Sequence, residues 1–132
     1  CPFAAHVRKT NPRADLEDKT PSIPLQGRRI TRRGIQFGPE VTQKERKAGK
    51  TIEERDLIFA CYQTSITTAF AFIQTSWANN PNFPPGNLPQ VPGLDPLIGQ
   101  GDRKLSGTDP NKPSTELPMP DFVVSRGGEY FF

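Results

Sequence analysis

The chain has 132 residues, of which 33% are hydrophobic and 15 are proline. This length fits one domain, but the apolar fraction allows only a small core and the prolines predict long irregular connections. The net charge is only +3, and no apolar run approaches the roughly 20 residues that a membrane-spanning helix needs. The composition therefore excludes a membrane span and leaves open whether the chain is a complete folding unit.

Basic residues are concentrated in the first fifty positions, notably in the pairs Arg28-Arg29 and Arg32-Arg33. Such a cluster is compatible with binding to nucleic acid, a membrane surface or another anion. A nucleic-acid site also needs aromatic side chains interleaved with the basic ones, and residues 28–33 contain none. We therefore predict that nucleic acid is not a partner.

The single histidine of the chain, His6, lies in the opening stretch CPFAAHVRKTNPR. Pro2 and the Asn11-Pro12 pair limit any helix here to a short one, since the residue before a proline is kept out of helical conformation. A lone histidine beside apolar residues is more often a packed or surface residue than a ligand. His6 becomes a candidate ligand to iron only through the motifs that accompany it.

The next ordered stretches are predicted as strands. In residues 29–37 (RITRRGIQF) the alternation indicates a strand closed by Gly38-Pro39. Arg32 and Arg33 would point to opposite faces, so at most one of them enters a buried site, and two solvent-exposed arginines are the alternative. Residues 56–63 (DLIFACYQ) form an apolar run of strand length, predicted to be buried on both faces.

A helix is predicted over residues 66–79, because Ile66, Phe70, Ile73 and Trp77 follow one another at spacings of 4, 3 and 4. A long loop follows from residue 80 to residue 120. Within it, Asp95 is flanked by apolar residues in GLDPLIG and is the acid least suited to mere solvation. The last twelve residues, 121–132, indicate a hairpin with a Gly-Gly turn.

Four of these stretches resemble one family when they are taken together and in order: CPFAAHVRKTNPR, ITRRGIQFGPE, LIFACYQ with the helix into SWANNPNFPP, and GLDPLIGQ before GGEYFF. They are similar to the C-terminal portion of fungal dye-decolorizing peroxidases. The resemblance implies an α+β fold of two ferredoxin-like domains with haem b in the second. Residues 1–132 would supply most of that second, haem-binding domain.

The resemblance also implies roles for individual residues. His6 matches the proximal iron ligand, and Asp95 matches the carboxylate that accepts its other ring N–H, which raises the electron density on iron. Arg32 matches the distal arginine, a fixed positive charge that stabilises negative charge developing on peroxide oxygen. Arg8 and Arg13 are candidates for pairing with the haem propionates.

Three further positions follow from the resemblance. Leu57 and Phe59 match apolar residues that shape the distal pocket. Trp77 matches a surface tryptophan that passes oxidising equivalents to bulky dyes, while core packing is the alternative reading of the same residue. Phe37 stands where the family often has tyrosine, and it cannot carry a tyrosine radical.

The function implied is that of a secreted, extracellular haem peroxidase that uses hydrogen peroxide to oxidise dyes, phenols and other aromatics. The family's distal aspartate lies in an upstream GxxDG motif, which this sequence lacks. We therefore expect activity to require an upstream segment or chain of the same protein. The alternative from another class is a haem-binding or haem-handling module without peroxidase turnover.

Overall fold

The structure, a computed structural model, describes residues 1–19 and 21–132. The chain divides into two compact units. The larger one combines Cys1–Arg29 with Ser65–Phe132, and the smaller one, the hairpin unit, is Ile30–Thr64. Among the described residues, no helix is both long enough and apolar enough to cross a membrane.

The elements are short and mixed in type, as the α+β prediction requires. In chain order they are α1 (His6–Thr10), α2 (Ala14–Glu17), a 3₁₀ turn (Gln26–Arg28), β1 (Thr31–Arg32), β2 (Ile35–Phe37), α3 (Gln43–Ala48), β3 (Asp56–Ile58), β4 (Cys61–Tyr62), α4 (Phe70–Phe72), a π-helical segment (Ile73–Ala78), β5 (Arg103–Leu105) and β6 (Leu117–Met119). The strands form antiparallel pairs: β1 with β4, β2 with β3, and β5 with β6.

Helix α1 begins at His6 and is only five residues long, in agreement with the sequence prediction. It ends before Asn11-Pro12, where the proline restricts the preceding residue. Arg8 and Lys9 lie in its last turn, where cations interact favourably with the helix dipole. The short helix therefore places the imidazole in its first turn.

The predicted helix over residues 66–79 forms only in its second half. Helical structure starts at Phe70, after the run Ile66-Thr67-Thr68, whose β-branched side chains lose rotamer freedom in a helix. From Ile73 to Ala78 the backbone is π-helical, a rare conformation that is frequent at functional sites. The predicted end at the Asn79-Asn80 pair is confirmed.

The apolar core lies in the larger unit and is small, as the composition predicts. Its buried members among the described residues are Ala4, Leu16, Leu25, Ala69, Ile73, Trp77, Ala78 and Phe83. Leu16 lies in α2, and Ile73, Trp77 and Ala78 lie in the π-helical segment; the others lie in the connections beside these elements. This core therefore joins the segment that carries His6 to the segment that carries Trp77.

In the hairpin unit, each of the two predicted strands is interrupted and forms two shorter strands. The first strand breaks at Arg33-Gly34, between β1 and β2, and the second at Phe59-Ala60, between β3 and β4. A Cβ atom on Gly34 would lie 3.0 Å from the carbonyl oxygen of Ile58. The backbones of the two strand segments therefore approach more closely there than a larger residue would allow.

The prediction that residues 56–63 are buried on both faces is wrong for this structure. Leu57 is 61% exposed, and Ile58 and Phe59 are exposed as well. The reason is that β3 pairs with β2 alone in a sheet of two strands. A continuous apolar run indicates a central strand only when other strands and helices cover it.

The predicted hairpin over residues 121–132 is also wrong. The last strand is β6, which ends at Met119 and pairs with β5, and residues 121–132 form no strand. Phe131 and Phe132 are exposed at the end of the chain. The apolar residues on both sides of the Gly-Gly pair stay exposed, and an isolated two-stranded hairpin is at best marginally stable in water.

Helix α3 is the best-capped element of the chain. Thr42 and Glu45 form a capping box, and Gly49 ends the helix in the left-handed conformation at φ +62°. The Glu45 carboxylate accepts hydrogen bonds from both terminal nitrogens of Arg55, at 2.6 and 2.8 Å, and from the backbone N–H groups of Ile52 and Glu53. These bonds hold the pKa of Glu45 far below its usual range.

We predict that Glu45→Gln loosens residues 42–55 without unfolding the larger unit. The amide loses the charge that holds Arg55, so hydrogen exchange at the Ile52 and Glu53 amides should accelerate, by roughly 10-fold. Because the pKa of Glu45 is lowered, the wild-type protection should be present above the ordinary glutamate pKa and be lost as the pH falls below it. Glu53→Gln, an exposed neighbour, is the matched control; equal exchange in the two variants would contradict the prediction.

Candidate functional site

The centre of the candidate site is a hydrogen-bonded pair of side chains from opposite parts of the sequence. The imidazole Nδ1 of His6 lies 2.9 Å from Oδ2 and 3.1 Å from Oδ1 of Asp95. Asp95 is 0% exposed, whereas the His6 side chain is 33% exposed. The carboxylate is thus enclosed by protein, whereas the imidazole that it contacts is partly exposed to solvent.

The loop around Asp95 is shaped to hold the carboxylate in place. Oδ1 accepts the backbone N–H groups of Leu97 at 2.8 Å and Ile98 at 3.0 Å, and the Asp95 N–H donates to the carbonyl of Ala78. A Cβ atom on Gly99 would lie 2.5 Å from the Asp95 carbonyl oxygen, so only glycine fits there. The motif GLDPLIG therefore encodes a tight turn that wraps the acid.

The hydrogen bonds keep Asp95 ionised although it is buried. Burial by itself raises the pKa of the carboxyl, but the bonds from His6 and from the Ile98 and Leu97 N–H groups outweigh that effect and lower the pKa below its ordinary value. The site therefore contains a buried negative charge that is compensated by donors. Such a carboxylate holds a proton on Nδ1 of the facing imidazole.

The other ring nitrogen of His6 is available for a ligand. Among the described residues, Nε2 has no hydrogen-bond partner, and the ring bonds Asp95 through Nδ1. With the proton on Nδ1, Nε2 presents a lone pair. In the part of the chain that the structure describes, no group of three or more His, Cys, Asp or Glu residues could hold a metal. A single histidine ligand suits an iron whose other ligands come from a porphyrin.

Lys9 is a buried cation that the sequence reasoning missed. Its side chain is fully buried, and Nζ donates to the carbonyls of Trp77 at 3.1 Å and Asn80 at 2.7 Å. Burial lowers the pKa of the ammonium to about 8, and the negative charge of Asp95 opposes part of that shift. Its position three residues after His6, on the same side of a short helix, was the available signal.

Trp77 is buried rather than at the surface. It is 5% exposed, its ring stacks on Phe83 at 5.2 Å with an angle of 5°, and Phe72 meets it edge-on at 5.4 Å. The prediction of a surface tryptophan is therefore wrong for this structure, and the core-packing alternative describes its surroundings. The indole is covered because it packs between the rings of Phe72 and Phe83.

The two arginines proposed for propionate binding differ. Arg8 is already paired, because Nε and Nη2 form a two-point ion pair with Asp15 at 2.9 and 2.8 Å, and Nη1 donates to the carbonyl of Cys1. This pairing argues against Arg8 as a propionate ligand. Arg13 is exposed, and among the described residues its side chain has no hydrogen-bond or ion-pair partner. Its φ of +35° is strained for a residue with a side chain, as is common at functional positions.

The remaining predicted site residues belong to the hairpin unit. Arg32 lies in β1 opposite Cys61, and its side chain is exposed. Leu57 lies in β3, and Phe59 follows the end of that strand. Phe37 ends β2 and is exposed.

Comparison with known proteins gives a consistent result, although the chain matches no protein-family model. It is 48% identical over 137 aligned residues to a dye-decolorizing peroxidase of Auricularia auricula-judae, an alignment that covers 100% of this chain and 27% of that protein. A solved ancestral D-type dye-decolorizing peroxidase superposes with a TM-score of 0.80 at 58% identity, over 91% of this chain and 27% of that one. A dye-decolorizing peroxidase engineered in its heme pocket superposes with a TM-score of 0.85 at 46% identity, over 97% of this chain and 30% of that one.

The fold and the histidine–carboxylate pair define an α+β segment whose structural neighbours are peroxidases, and the α+β ferredoxin-like prediction agrees with them. By sequence and by structure, this chain is similar to one segment of dye-decolorizing peroxidases, as the four motifs predicted. It spans less than a third of the length of the relatives that it matches.

We predict that Asp95→Asn destabilises the protein at neutral pH by about 1–3 kcal/mol, because it removes a buried charge that three donors satisfy. The lowered pKa of Asp95 means that the carboxylate contributes stability above the ordinary aspartate pKa of about 3.9, and that this contribution is lost as the pH falls below it. The difference between wild type and variant should therefore shrink below about pH 4. Urea unfolding across this pH range measures it.

The matched control for this measurement is Asp102→Asn, since Asp102 is exposed. This variant should change the free energy of unfolding by less than about 0.5 kcal/mol. If the gap between Asp95→Asn and wild type stayed constant from pH 7 to pH 3, the buried-carboxylate interpretation would be wrong.

Proposed function

We propose that this chain supplies the haem-holding part of a dye-decolorizing peroxidase, in which Nε2 of His6 would bind the iron of haem b. The observation that carries the proposal is the pair between Nδ1 of His6 and the buried Asp95 carboxylate, at 2.9 Å. When bound, haem supplies the iron at which hydrogen peroxide is reduced and oxidising equivalents are stored. The resemblance to proteins named dye-decolorizing peroxidases supports this function.

Asp95 acts through His6 in this proposal. By accepting the Nδ1 hydrogen bond it fixes the tautomer and orients Nε2, and its negative charge makes the imidazole a stronger electron donor. The two backbone N–H groups on Oδ1 keep the carboxylate from taking the proton fully from the ring, because they stabilise its own charge. His6 therefore binds as a neutral but strongly polarised imidazole.

Arg32 and Arg13 serve as the cations of the site. Arg32 stabilises negative charge that develops on the peroxide oxygen as the O–O bond breaks. Its guanidinium has no hydrogen-bond or ion-pair partner among the described residues, so it is available for that purpose. Arg13 pairs with a haem propionate, since an exposed guanidinium fork matches a carboxylate. Leu57 and Phe59 exclude water from the peroxide side.

Trp77 passes single electrons from the reducing substrate toward the haem site. The next residue, Ala78, accepts a hydrogen bond from the Asp95 N–H through its carbonyl oxygen. Trp77 is therefore the sequence neighbour of a residue that contacts the His6–Asp95 pair. Because Trp77 is buried, a bulky dye does not contact the indole ring in this structure. The electron therefore enters through a neighbouring group at the surface rather than by direct stacking of dye on Trp77.

The substrates follow from the proposed reaction. Hydrogen peroxide accepts two electrons and two protons to give two waters, and two molecules of a dye, phenol or other aromatic each give up one electron. An acid that moves the peroxide proton is expected on the part of the protein that this chain does not include, within a GxxDG motif. We propose that the whole protein is secreted.

A second candidate function is haem binding or haem handling without turnover. It is supported by the His6–Asp95 pair, because this pair would hold haem whether or not turnover follows. Peroxide-dependent dye oxidation by the full-length protein separates the two functions.

We predict that Arg32→Leu in the full-length protein retains the haem absorption band but oxidises dye at least about 100-fold more slowly, through loss of one preorganised charge at the transition state. The matched control is Arg33→Leu, which removes a neighbouring exposed arginine and should leave turnover within roughly 3-fold of wild type. Steady-state dye oxidation with hydrogen peroxide measures both variants. Equal effects of the two variants would contradict the assignment of Arg32.

His6→Ala tests the ligand itself. We expect this variant to lose the haem band on purification, because no other described residue offers an imidazole. Added imidazole should restore part of the band by occupying the vacated position. Full haem content without imidazole would show that His6 is not the ligand.

A further inference from the structure

Trp77 belongs to an aromatic stack that has a cation at each end. Phe72 meets the indole at 5.4 Å and Phe83 stacks on it at 5.2 Å. The guanidinium carbon of Arg28 lies 3.6 Å from the centroid of the Phe72 ring, and Nζ of Lys9 lies 6.0 Å from the centroid of the Phe83 ring. The order is therefore cation, ring, indole, ring, cation.

The two cations are not equivalent. Burial lowers the pKa of Lys9, and the negative charge of the nearby Asp95 carboxylate opposes that shift. The same carboxylate partly cancels the field of the ammonium at the indole. Arg28 has no carboxylate partner among the described residues, and its neighbour Arg29 approaches Glu17 only at 3.9 Å. The uncompensated positive charge at this stack is therefore that of Arg28.

The position of Arg28 is well defined. Nη1 donates to the carbonyl of Thr68 at 2.6 Å while the guanidinium plane faces Phe72. From the two ring distances, the guanidinium carbon lies within about 9 Å of the indole centroid. Arg28 is only partly exposed, so water does not fully screen its charge.

We propose that Arg28 is a positioning residue that tunes Trp77: its fixed positive charge makes the indole radical cation a stronger oxidant. This inference rests on the proposed role of Trp77 in electron transfer. Loss of one electron from the indole creates a positive charge beside the guanidinium, and repulsion between the two makes that loss less favourable. The oxidised indole then takes an electron from the substrate more strongly and returns to its neutral form.

The electrons balance over one turnover. Each of two substrate molecules gives one electron, through the neighbouring group at the surface, to an oxidised Trp77. Trp77 gives one electron, twice, toward the site that hydrogen peroxide has oxidised. Two protons join the peroxide oxygens to give two waters. Arg28 exchanges neither electrons nor protons. Removing it should therefore change the driving force for electron transfer through Trp77 without blocking the transfer itself.

The test is Arg28→Gln in the full-length peroxidase with haem, since glutamine retains a donor for the Thr68 carbonyl but removes the charge. The indole should become easier to oxidise, so the tryptophan radical seen by electron paramagnetic resonance after peroxide addition should increase and decay more slowly. Turnover of a dye that is hard to oxidise should fall about 5- to 20-fold. Turnover of an easily oxidised phenol should stay within roughly 2-fold, because its driving force remains sufficient.

Three further variants make the outcome decisive. Arg28→Lys retains the charge and should behave like wild type, and Arg29→Gln removes a charge from the same turn without a contact to Phe72 and should also behave like wild type. Trp77→Phe tests the proposed function, because it should abolish the radical and the turnover of the demanding dye.

The two failures are distinguishable. If Trp77→Phe leaves the demanding dye unaffected, the electron-transfer role of Trp77 fails, and the tuning role fails with it. If Trp77→Phe abolishes turnover while Arg28→Gln changes neither the radical nor the ratio between substrates, the tuning alone is overturned. A fall of both radical and turnover in Arg28→Gln, or an equal effect of Arg28→Lys, would show a packing role and overturn it as well.

Discussion

The hydrogen bond between His6 and Asp95 is the interaction on which the larger unit depends. A buried carboxylate is costly unless donors satisfy it, and here an imidazole and two backbone N–H groups do so. The same bond connects residues that lie 89 positions apart in the chain. The charge therefore has two effects: it closes the fold over a small core, and it leaves Nε2 as the one exposed basic atom of the ring.

The buried cations extend this arrangement toward Trp77. Lys9 satisfies two carbonyls at the end of the π-helical segment, where the backbone leaves acceptors without helical partners. Helix α1 is therefore bonded to Asp95 through His6 and to the Trp77 carbonyl through the Lys9 ammonium. Arg28 closes the other end of the stack. A tryptophan held in this way packs in the core and also lies in a defined electrostatic field. Core packing of Trp77 is therefore compatible with the proposed redox role.

The hairpin unit shows a different balance. Its strands expose apolar side chains that the sequence pattern predicted as buried, and its ordered features are ion-paired and capped rather than packed. The Glu45–Arg55 pair holds this unit together in place of an apolar core. Several hydrogen bonds to one carboxylate fix the turn, which apolar contacts do not stabilise here. Exposed apolar strands are costly in water, and this is consistent with a chain that spans less than a third of its relatives' length.

The sequence by itself determined the resemblance to dye-decolorizing peroxidases, the short helix that begins at His6, the enclosed acid of GLDPLIG and the end of the helix after Trp77. Each of the three local features depends on neighbouring residues such as Pro12, Gly99 and Asn79. It did not determine the burial of Trp77, the pairing of Arg8 with Asp15, or the place of Lys9. The burial of Trp77 and the place of Lys9 depend on side chains that meet across tens of residues, and the Arg8–Asp15 pair depends on how the chain turns between α1 and α2. Local spacing carries no such information. The tertiary structure also decided against the final hairpin and the buried strand, since a strand persists only where a partner and a covering face exist.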